Sequence, residues 1–354
     1  MAVGFPVKAD YVTGDVLTAA NMNDLSGTLN TITSANFAAG KNAIINGGFD
    51  IAQRGTSFTT GSKIYTVDRW EIWSTGAGGN CVVTRVAGTA GAQYAAEFGR
   101  QSASSSLTVP RFAQTIETAN SVQYAGKNIV VSFEALKGAN YSGGDLTVDV
   151  QTGTGTDQNF TAFTGSATVS TNFTLTASNA SYTTAAIAIP SNATEIALVF
   201  RYTATGTAGA ADYVRLQKVQ LELGSTKSEF SRAGGTIQGE LAACQRYYVR
   251  YSSTDVFHSY ANGMTTSTTV GYVTVPLPVE MRTAPTTLDT STVTKLETYN
   301  SLASNKVLSA IAIDRPSTKA FSLVCTITGA TNGQVITLRN SNDATAFFGV
   351  SAEL

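Results

Sequence analysis

The sequence predicts an all-β protein: a jelly-roll β-sandwich, then a second β-sandwich, preceded by a short N-terminal helical segment. Short runs with apolar residues at alternate positions recur at close intervals, and turn-forming residues separate them. Few helical patterns interrupt these runs, which favours sandwiches over mixed folds. The 354 residues suffice for two or three domains, and 43% of them are hydrophobic, so each domain can bury a core.

The chain carries few charges. Only 13% of its residues are charged and the net charge is -1, which gives no electrostatic basis for binding nucleic acid or an anionic membrane surface. The polar surface must therefore be formed by Thr, Ser, Asn, Gln and backbone groups, in a chain with 32 glycines. Such a surface suits extended β structure and hydrogen-bonding ligands such as sugars.

Targeting signals and cysteine usage indicate where the protein is made. Residues 1–10 contain no apolar secretion signal, and no run approaches the length of a membrane span. Cys81, Cys244 and Cys325 are odd in number and lack the spacing of a disulfide framework or a zinc site. We therefore expect synthesis in a cytoplasm, no membrane insertion, and exit from the cell by lysis or with a particle.

Residues 1–41 are predicted to form a separate attachment and oligomerisation segment. Thr18 is a suitable N-cap for a helix. Apolar residues then follow at the spacing of a coiled-coil seam, namely Met22, Leu25, Leu29 and Ile32. Gly27 weakens such a helix by about 1 kcal/mol relative to Ala, so we expect it to need a second copy or a larger assembly. The alternative is a helix that packs on its own β domain.

Residues 42–232 are predicted to form one jelly-roll domain. The strands expected in it are Tyr65–Trp73, Cys81–Val86, Ala95–Phe98, Arg111–Ile116, Asn128–Leu136, Leu146–Gln151, Phe173–Thr176, Ala185–Ile189, Glu195–Tyr202 and Tyr213–Leu223. The last of these closes the domain at Gly224, and Lys218 interrupts its alternation of apolar and polar residues.

Residues 233–354 are predicted to form a second β domain at the tip of the molecule. Ile237, Leu241 and Cys244 are spaced as one face of a short helix. The strands expected after it are Arg246–Tyr251, Thr269–Leu277, Thr292–Thr298, Val307–Ile313, Ala320–Thr328, Gln334–Arg339 and Ala346–Leu354. Pro285 would break a central strand, so the stretch 279–285 is expected to be a loop.

The sequence provides no catalytic residue, metal site or cofactor motif to which a reaction could be assigned. His258 is the only histidine, and its loop-like surroundings indicate a surface or interface residue rather than a general base. Glycine patterns for phosphate or dinucleotide binding are missing. With 24 acidic residues, a glycosidase pair cannot be told from salt bridges. We expect a protein that is not an enzyme.

Aromatic residues at strand ends and in Gly/Ser-rich loops are candidates for sugar binding. A flat ring can cover the C–H face of a sugar while polar side chains bind its hydroxyl groups. The candidate ligand-binding residues are Trp73, Tyr94, Tyr124, Tyr141 and Tyr182. The alternative for each is a ring that packs beneath a loop. Trp70 is expected in the core, with Asp68 and Arg69 fixing a strand end by charge-assisted hydrogen bonds.

Five sequence blocks, in their order along the chain, resemble those of tailed-phage tail-fibre and related virion-appendage proteins. They are NAIINGGFDIAQR at 42–54, YTVDRW at 65–70, VQLELG at 219–224 with Phe230, ELAACQRYY at 240–248 and PLPVEMRTAP at 276–285. The closing Glu353–Leu354 is also familiar in that group. Residues 14–25 resemble the virion-attachment end of small phage fibres, and residues 42–232 resemble a carbohydrate-binding-module jelly roll.

The resemblance implies a homotrimeric virion appendage assembled in the host cytoplasm. Residues 1–41 would then bind tail, baseplate or capsid proteins, and the β domains would bind a host-surface glycan. The resemblance carries over no catalytic residue. Two alternatives remain: a capsid-bound fibre, decoration protein or tail adaptor without a receptor role, and a capsule depolymerase. Ile237, Leu241 and Tyr248 are expected at a subunit contact where the tip domains meet.

Overall fold

The computed structural model describes residues 40–75, 80–89, 91–107, 109–300 and 303–354. In these residues the chain forms two β-sandwiches joined by one helix, which confirms the predicted all-β class. None of the helices in the described ranges is long and apolar enough to span a membrane. The predicted N-terminal helix, with Met22, Leu25, Leu29 and Ile32, lies outside these ranges.

The first sandwich is built from antiparallel strands in two sheets. Its strands are β1 (Ser57–Thr60), β2 (Ile64–Tyr65), β3 (Glu71–Thr75), β4 (Cys81–Ala87), β5 (Tyr94–Arg100), β6 (Val109–Ile116), β7 (Asn128–Lys137), β8 (Leu146–Gly153), β9 (Ala167–Phe173), β10 (Ala180–Thr183), β11 (Ile187–Ala188), β12 (Glu195–Arg201) and β13 (Tyr213–Leu223). One sheet has the order β1-β4-β5-β13-β7-β10, and β11 also pairs with β7. The other has the order β2-β3-β6-β12-β8-β9.

Aromatic rings fill the space between these two sheets. Trp70 is fully buried, as predicted, and stacks on Phe112 with ring centroids 4.8 Å apart. Phe112 in turn stacks on Phe98 at 5.3 Å, which links the two sheets through one aromatic column. Aromatic pairs contribute about 0.5–1.5 kcal/mol beyond the area that they bury, so each stacked pair in this column adds to the stability of the contact between the two sheets.

Strand β13 contains a β-bulge at the position where its sequence alternation fails. The register with β7 shifts between Gln217 and Gln220, and Lys218 has a φ of 51°. The extra residue allows Leu216 before the bulge and Val219 after it to face the same core, since both are fully buried. The bulge also turns the Lys218 side chain toward the outer face of the sheet, where it is half-buried.

The second sandwich follows the helix Ile237–Gln245. Its strands are β14 (Tyr248–Ser252), β15 (Ser259–Thr265), β16 (Val270–Pro276), β17 (Thr287–Thr290), β18 (Leu296–Asn300), β19 (Ala303–Val307), β20 (Ala310–Asp314), β21 (Ala320–Thr326), β22 (Val335–Asn340) and β23 (Phe347–Ser351). The sheets have the orders β14-β23-β17 and β19-β18-β22-β15-β16-β21-β20. Shorter helical turns lie at Thr118–Ser121, Val122–Tyr124, Phe160–Ala162 and Val293–Lys295.

Some predicted strand positions were wrong. The strand expected at Phe173–Thr176 shares one residue with β9, and the strand expected at Thr292–Thr298 begins with the turn Val293–Lys295. Strands β1, β10, β15 and β17 were not predicted. Strand β9 shows the reason: most of its side chains are exposed, so its sequence carries no alternation of apolar and polar residues.

The two sandwiches meet along an interface formed largely by the sequence blocks described above. Arg69 of the first sandwich pairs with Glu353 of the second, and both side chains are buried. The Gln53 side chain donates a hydrogen bond to the Tyr248 carbonyl at 2.8 Å, and Arg250 donates to the Gln53 carbonyl at 3.0 Å. Residues far apart in the sequence are thus joined by charge-assisted and backbone-directed contacts.

The helix between the sandwiches is tied to the first of them. Thr236 caps its N-terminus by accepting a hydrogen bond from the Gly239 amide. The Glu240 carboxylate accepts hydrogen bonds from the amides of Asn46 and Gly234 and is fully buried. The predicted helix is therefore confirmed, and its acidic side chain holds the loop that opens the first sandwich.

The three residues predicted at a subunit contact have different surroundings. Ile237 is 41% exposed and Leu241 is half-buried, so the predicted contact stays a prediction for both. Tyr248 is 1% exposed within a single chain, which leaves no side-chain surface for another subunit. Its hydroxyl donates to Asp289 at 2.7 Å and the Arg54 guanidinium lies 3.6 Å from its ring centroid. Tyr248 therefore joins the sandwiches inside the chain.

Candidate functional site

A groove with a volume of about 640 Å³ lies on the outer face of the sheet that contains β7, β10 and β13. On β7, Val131, Phe133 and Ala135 face the core, so the alternate residues Ser132 and Glu134 point outward. These two residues line the floor of the groove, and the segments 91–93 and 227–232 contribute its walls. The groove therefore results from strand alternation and from two loops that rise beside the sheet.

The Glu134 carboxylate in the groove is held by hydrogen bonds from three side chains. Its carboxylate accepts hydrogen bonds from Lys218 Nζ at 2.8 Å, Gln217 Nε2 at 2.6 Å and Asn179 Nδ2 at 2.8 Å. Burial alone would raise the pKa of Glu134, but the hydrogen bonds from Lys218, Asn179 and Gln217 outweigh it and lower this pKa. The carboxylate is thus ionised and held in one orientation near neutral pH.

The segment 227–232 is fixed against the sheet by the side chains of β13 and β10. Lys227 Nζ donates to Ser181 Oγ at 2.6 Å, and the Ser231 amide donates to Gln220 Oε1 at 2.9 Å. Phe230 lies between these two anchors and is half-buried at the groove wall. Its ring is the one in this segment that can offer an apolar surface to a ligand.

Ser231 brings an unused hydrogen-bonding group to the groove. The residue is 2% exposed and lines the groove, and its hydroxyl has no hydrogen-bond partner among the described residues. Buried hydroxyl groups are nearly always hydrogen-bonded, because leaving one unpaired costs about 1–3 kcal/mol. A ligand hydroxyl in the groove could supply the missing partner.

The charges that line the groove balance. The acidic side chains are Asp50, Glu134 and Glu229, and the basic ones are Lys218, Lys227 and Arg232, so three negative charges face three positive ones. Serine hydroxyls lie between these charges, and together they offer both donors and acceptors. Such a lining suits a neutral molecule with many hydroxyl groups better than a strongly charged ligand.

None of the five aromatic residues predicted to bind a ligand lines this groove. Tyr124 is 3% exposed and belongs to the core. Tyr182 faces inward and stacks on Phe133 with ring centroids 5.5 Å apart, while Tyr141 packs on Tyr202 at 4.8 Å. For Tyr124 the structure shows the alternative, a ring packed beneath the surface. Tyr141 and Tyr182 are half-buried, so ligand binding by either stays a prediction.

Trp73 and Tyr94 are both half-buried, and each lies beside an arginine. The Arg111 guanidinium carbon is 5.3 Å from the Trp73 ring centroid, and that of Arg85 is 4.0 Å from the Tyr94 ring centroid. Both residues keep part of their rings accessible, so ligand binding by either stays a prediction.

In the part of the second sandwich that the structure describes, a pocket lined by Thr265, Thr298 and Ile336 has a volume of only about 10 Å³. His258 is exposed and its ring meets Tyr260 edge to face at 5.2 Å. Within the described ranges, His, Cys, Asp and Glu side chains form no group of three or more that could hold a metal ion. The groove on the first sandwich is therefore the candidate binding site of the described residues.

Comparison with known proteins finds similar folds among solved structures. No family model matches the chain, and no curated protein matches it. The enzymatically active domain of tailspike protein 4 from bacteriophage CBA120 is 13% identical, with a TM-score of 0.34 over 52% of this chain and 21% of that chain. The carbohydrate-binding module TmCBM61 in complex with β-1,4-galactotriose is 14% identical, with a TM-score of 0.30 over 52% and 99% of the two chains.

A third solved structure is the family 11 carbohydrate-binding module from Clostridium thermocellum in complex with a β-1,3-1,4-mixed-linked tetrasaccharide. It is 10% identical, with a TM-score of 0.31 over 49% of this chain and 98% of that chain. The structural neighbours are therefore carbohydrate-binding modules and a phage tailspike domain at low identity. The chain spans about a fifth of the tailspike chain and nearly all of the two modules.

Proposed function

We propose that this protein binds a neutral glycan in the groove on the first sandwich. The observation that carries the proposal is the convergence of the Glu134–Lys218 pair and the unpartnered Ser231 hydroxyl on one groove of balanced charge. Adjacent sugar hydroxyls can donate to a carboxylate and accept from an ammonium group at the same time. Each hydrogen bond to a charged group contributes about 1.5–3 kcal/mol.

The remaining groups define how a sugar would be held. Phe230 can cover one apolar face of a pyranose ring, while Ser132 and Ser181 offer hydroxyl groups along the floor. Because three donors already orient Glu134, it would lose little conformational entropy when the ligand binds. The Glu134 carboxylate is thus preorganised. Its fixed orientation favours sugars whose hydroxyl groups are arranged to match it.

We also propose that the protein is a structural component of a tailed-phage virion, a homotrimeric tail fibre or spike that binds host-surface glycan and has no catalytic activity. The support is the order of the sequence blocks and their convergence on the contact between the sandwiches. Residues 1–41 would attach the protein to the particle. Antibody labelling of intact virions tests this role: label on the tail supports it, and label on the capsid or no label contradicts it.

The glycan proposal is tested with the full chain on an array of host-surface glycans, followed by calorimetric titration with the best ligand. Glu134→Gln removes the negative charge but retains the shape of the side chain, so we expect at least a tenfold loss of affinity. Glu97→Gln is the matched control, because Glu97 pairs with Arg215 on the same outer face but outside the groove. Its affinity should equal that of the unaltered protein.

Two results would contradict the glycan proposal. One is a folded protein that binds no neutral glycan, and the other is equal affinity in the Glu134→Gln and Glu97→Gln variants. Release of reducing ends from host capsule during the same incubation would instead indicate a depolymerase and overturn the proposed lack of catalysis.

A further inference from the structure

The outer face of the other sheet of the first sandwich carries a transverse row of polar and aromatic side chains. In the strand register, Trp73 of β3 lies opposite Arg111 of β6, and Arg111 lies opposite Arg201 of β12. Thr147 of β8 and Asn172 of β9 continue the row. Directly opposed residues have Cβ atoms about 5 Å apart, so these five side chains form one continuous strip across five strands.

The charges in this strip do not balance. Arg201 Nε pairs with Asp149 Oδ2 at 2.6 Å, so one guanidinium has a counter-charge. Arg111 has no acidic partner within ion-pair distance among the described residues. Its Nε is buried and has no hydrogen-bond partner in this part of the chain. One guanidinium without a counter-charge in the described part of the chain therefore lies on the strip.

Arg111 and Arg201 lie directly opposite each other on neighbouring strands, so their positive charges repel. Burial lowers the pKa of Arg111, and the charge of Arg201 lowers it further, while Asp149 offsets part of this effect. Like charges directly opposite each other destabilise a sheet. An anion bound beside Arg111 would reduce the repulsion.

Trp73 gives the strip an apolar end. Phe160, in the turn Phe160–Ala162, meets the Trp73 ring edge to face at 6.2 Å and 71°, which holds the indole in place. The Arg111 guanidinium carbon is 5.3 Å from the Trp73 ring centroid. A planar cation thus lies next to a half-buried ring, with Thr147 and Asn172 further along as hydroxyl and amide groups.

We propose that this strip is a second binding site, for an acidic saccharide whose carboxylate is bound by Arg111. Guanidinium groups bind carboxylates through two parallel hydrogen bonds, which is the geometry that a uronic acid can satisfy. One sugar ring would lie against Trp73. Thr147 and Asn172 lie three and four strands away, roughly 14 and 19 Å, so they would be reached by hydroxyls of later rings of an oligosaccharide. The site is on the opposite sheet from the groove, so it does not depend on the neutral-glycan proposal.

The test is calorimetric titration of the full chain with trigalacturonate and, in parallel, with neutral galactotriose. In the Glu134→Gln variant, whose groove is weakened for neutral glycans, we expect trigalacturonate to bind at least tenfold more tightly than galactotriose. In the otherwise unaltered protein, Arg111→Met should lose at least tenfold in affinity for trigalacturonate. Arg85→Met is the matched control, since Arg85 also lies against an aromatic ring, Tyr94, but on the other sheet. Its affinity for trigalacturonate should be unchanged, as should that of the groove variant Glu134→Gln.

A second substitution at Arg111 and two competing anions complete the test. If Arg111→Met does not fold, Arg111→Lys retains the charge without the planar fork and should still lose several-fold in affinity. Acetate and inorganic sulfate serve as competitors: displacement only at concentrations far above those of the saccharide supports recognition of the sugar. Displacement at equal concentration, equal binding of the acidic and neutral trisaccharides by the Glu134→Gln variant, or full affinity in the folded Arg111 variants would overturn the proposal.

Discussion

Arg69 of the first sandwich and Glu353 of the second form an ion pair whose side chains are only 1% and 5% exposed. The Arg69 guanidinium carbon also lies 3.5 Å from the centroid of the Tyr247 ring, and Glu353 lies 3.3 Å from Arg54. Buried charges fit only in a geometry that pairs them, so a small change in the relative orientation of the sandwiches would expose or separate them. The contact therefore fixes that orientation.

Removing one member of this pair is the first prediction. Glu353→Gln leaves the Arg69 charge buried without a counter-charge, so we expect the free energy of unfolding to fall by about 3–5 kcal/mol. The double variant Arg69→Met with Glu353→Gln removes both charges of the pair and closes a double-mutant cycle with the single variants Arg69→Met and Glu353→Gln. Arg54 loses its partner in both variants that change Glu353, so this loss cancels in the cycle, and the double variant should lose less than the sum of the single losses. Urea unfolding of the four proteins measures this coupling.

The control for this cycle is Arg315→Gln. Arg315 pairs with Asp314, but 82% of its side chain is exposed, so the urea midpoint should stay unchanged. Additive losses at Arg69 and Glu353, or a Glu353→Gln variant as stable as the unaltered protein, would show that the pair does not hold the two sandwiches.

Glu71 makes the stability depend on pH. Burial raises its pKa to about 7, against 4.5 for an ordinary glutamate, although Asn159 donates to both carboxylate oxygens at 2.8 and 3.1 Å. The folded state then binds the proton more tightly than the unfolded chain does. The resulting stabilisation is complete below pH 4.5 and is lost as the pH rises to 7, and it amounts to about 3 kcal/mol.

The variant Glu71→Gln isolates this effect. Its amide cannot ionise, so its stability relative to the unaltered protein should increase between pH 4.5 and 7 and then stay constant. Unfolding in urea at pH 4.5, 5.5, 7 and 8 gives the difference between the two proteins at each pH. The difference also removes the contributions of Asp68 and Glu240, whose pKa values burial raises as well. Parallel pH profiles would contradict the assignment to Glu71.

The three cysteines should be unreactive in the folded protein. Cys81, Cys244 and Cys325 are each at most 1% exposed. Burial raises the pKa of Cys81 to about 11 and that of Cys325 to about 12, and it also raises the pKa of Cys244. Because the thiolate is the reactive form, a disulfide reagent at pH 8 should label no thiol before unfolding and three afterwards. Rapid labelling of any thiol in the native protein would disprove this prediction.

The sequence predicts the interior of each sandwich better than its surface. The apolar alternation of β13 and the burial of Trp70 could both be read directly, because a buried face selects residue types with a period of two. The same alternation does not say which loop aromatics face inward, so Tyr124, Tyr141 and Tyr182 were predicted at the surface although they pack on the core. Their position depends on how the loops fold over the sheet edges.

The groove could not be predicted, because its parts are distant in sequence. Glu134 and Lys218 are 84 residues apart and meet because β7 pairs with β13, a long-range pairing that no local pattern reveals. Two signals did point toward the site: Lys218 broke the alternation of its strand, and Phe230 belonged to a recognised block. The blocks around Arg69 and Tyr248 were likewise visible in the sequence, but only the structure shows that they contact each other.

The bulge at Lys218 leads to a prediction about backbone strain. At the φ of 51° found for Lys218, a residue with a side chain is destabilised by about 1 kcal/mol or more, whereas glycine adopts this conformation freely. We therefore expect Lys218→Gly to be more stable than Lys218→Ala by about 1 kcal/mol. Both variants lack Nζ, so both should lose affinity for the neutral glycan to the same extent.

Arg215, two strand positions before the bulge begins, provides the matched comparison. It also points outward, and its register with both neighbouring strands is regular. In regular strands glycine is less stable than alanine by about 0.5–1 kcal/mol, so Arg215→Ala should be more stable than Arg215→Gly. The order of stability should thus reverse between the two sites, as measured by urea unfolding of the four variants. If alanine were the more stable residue at both, Lys218 would not hold the strained conformation, and the orientation of its side chain toward Glu134 would need another explanation.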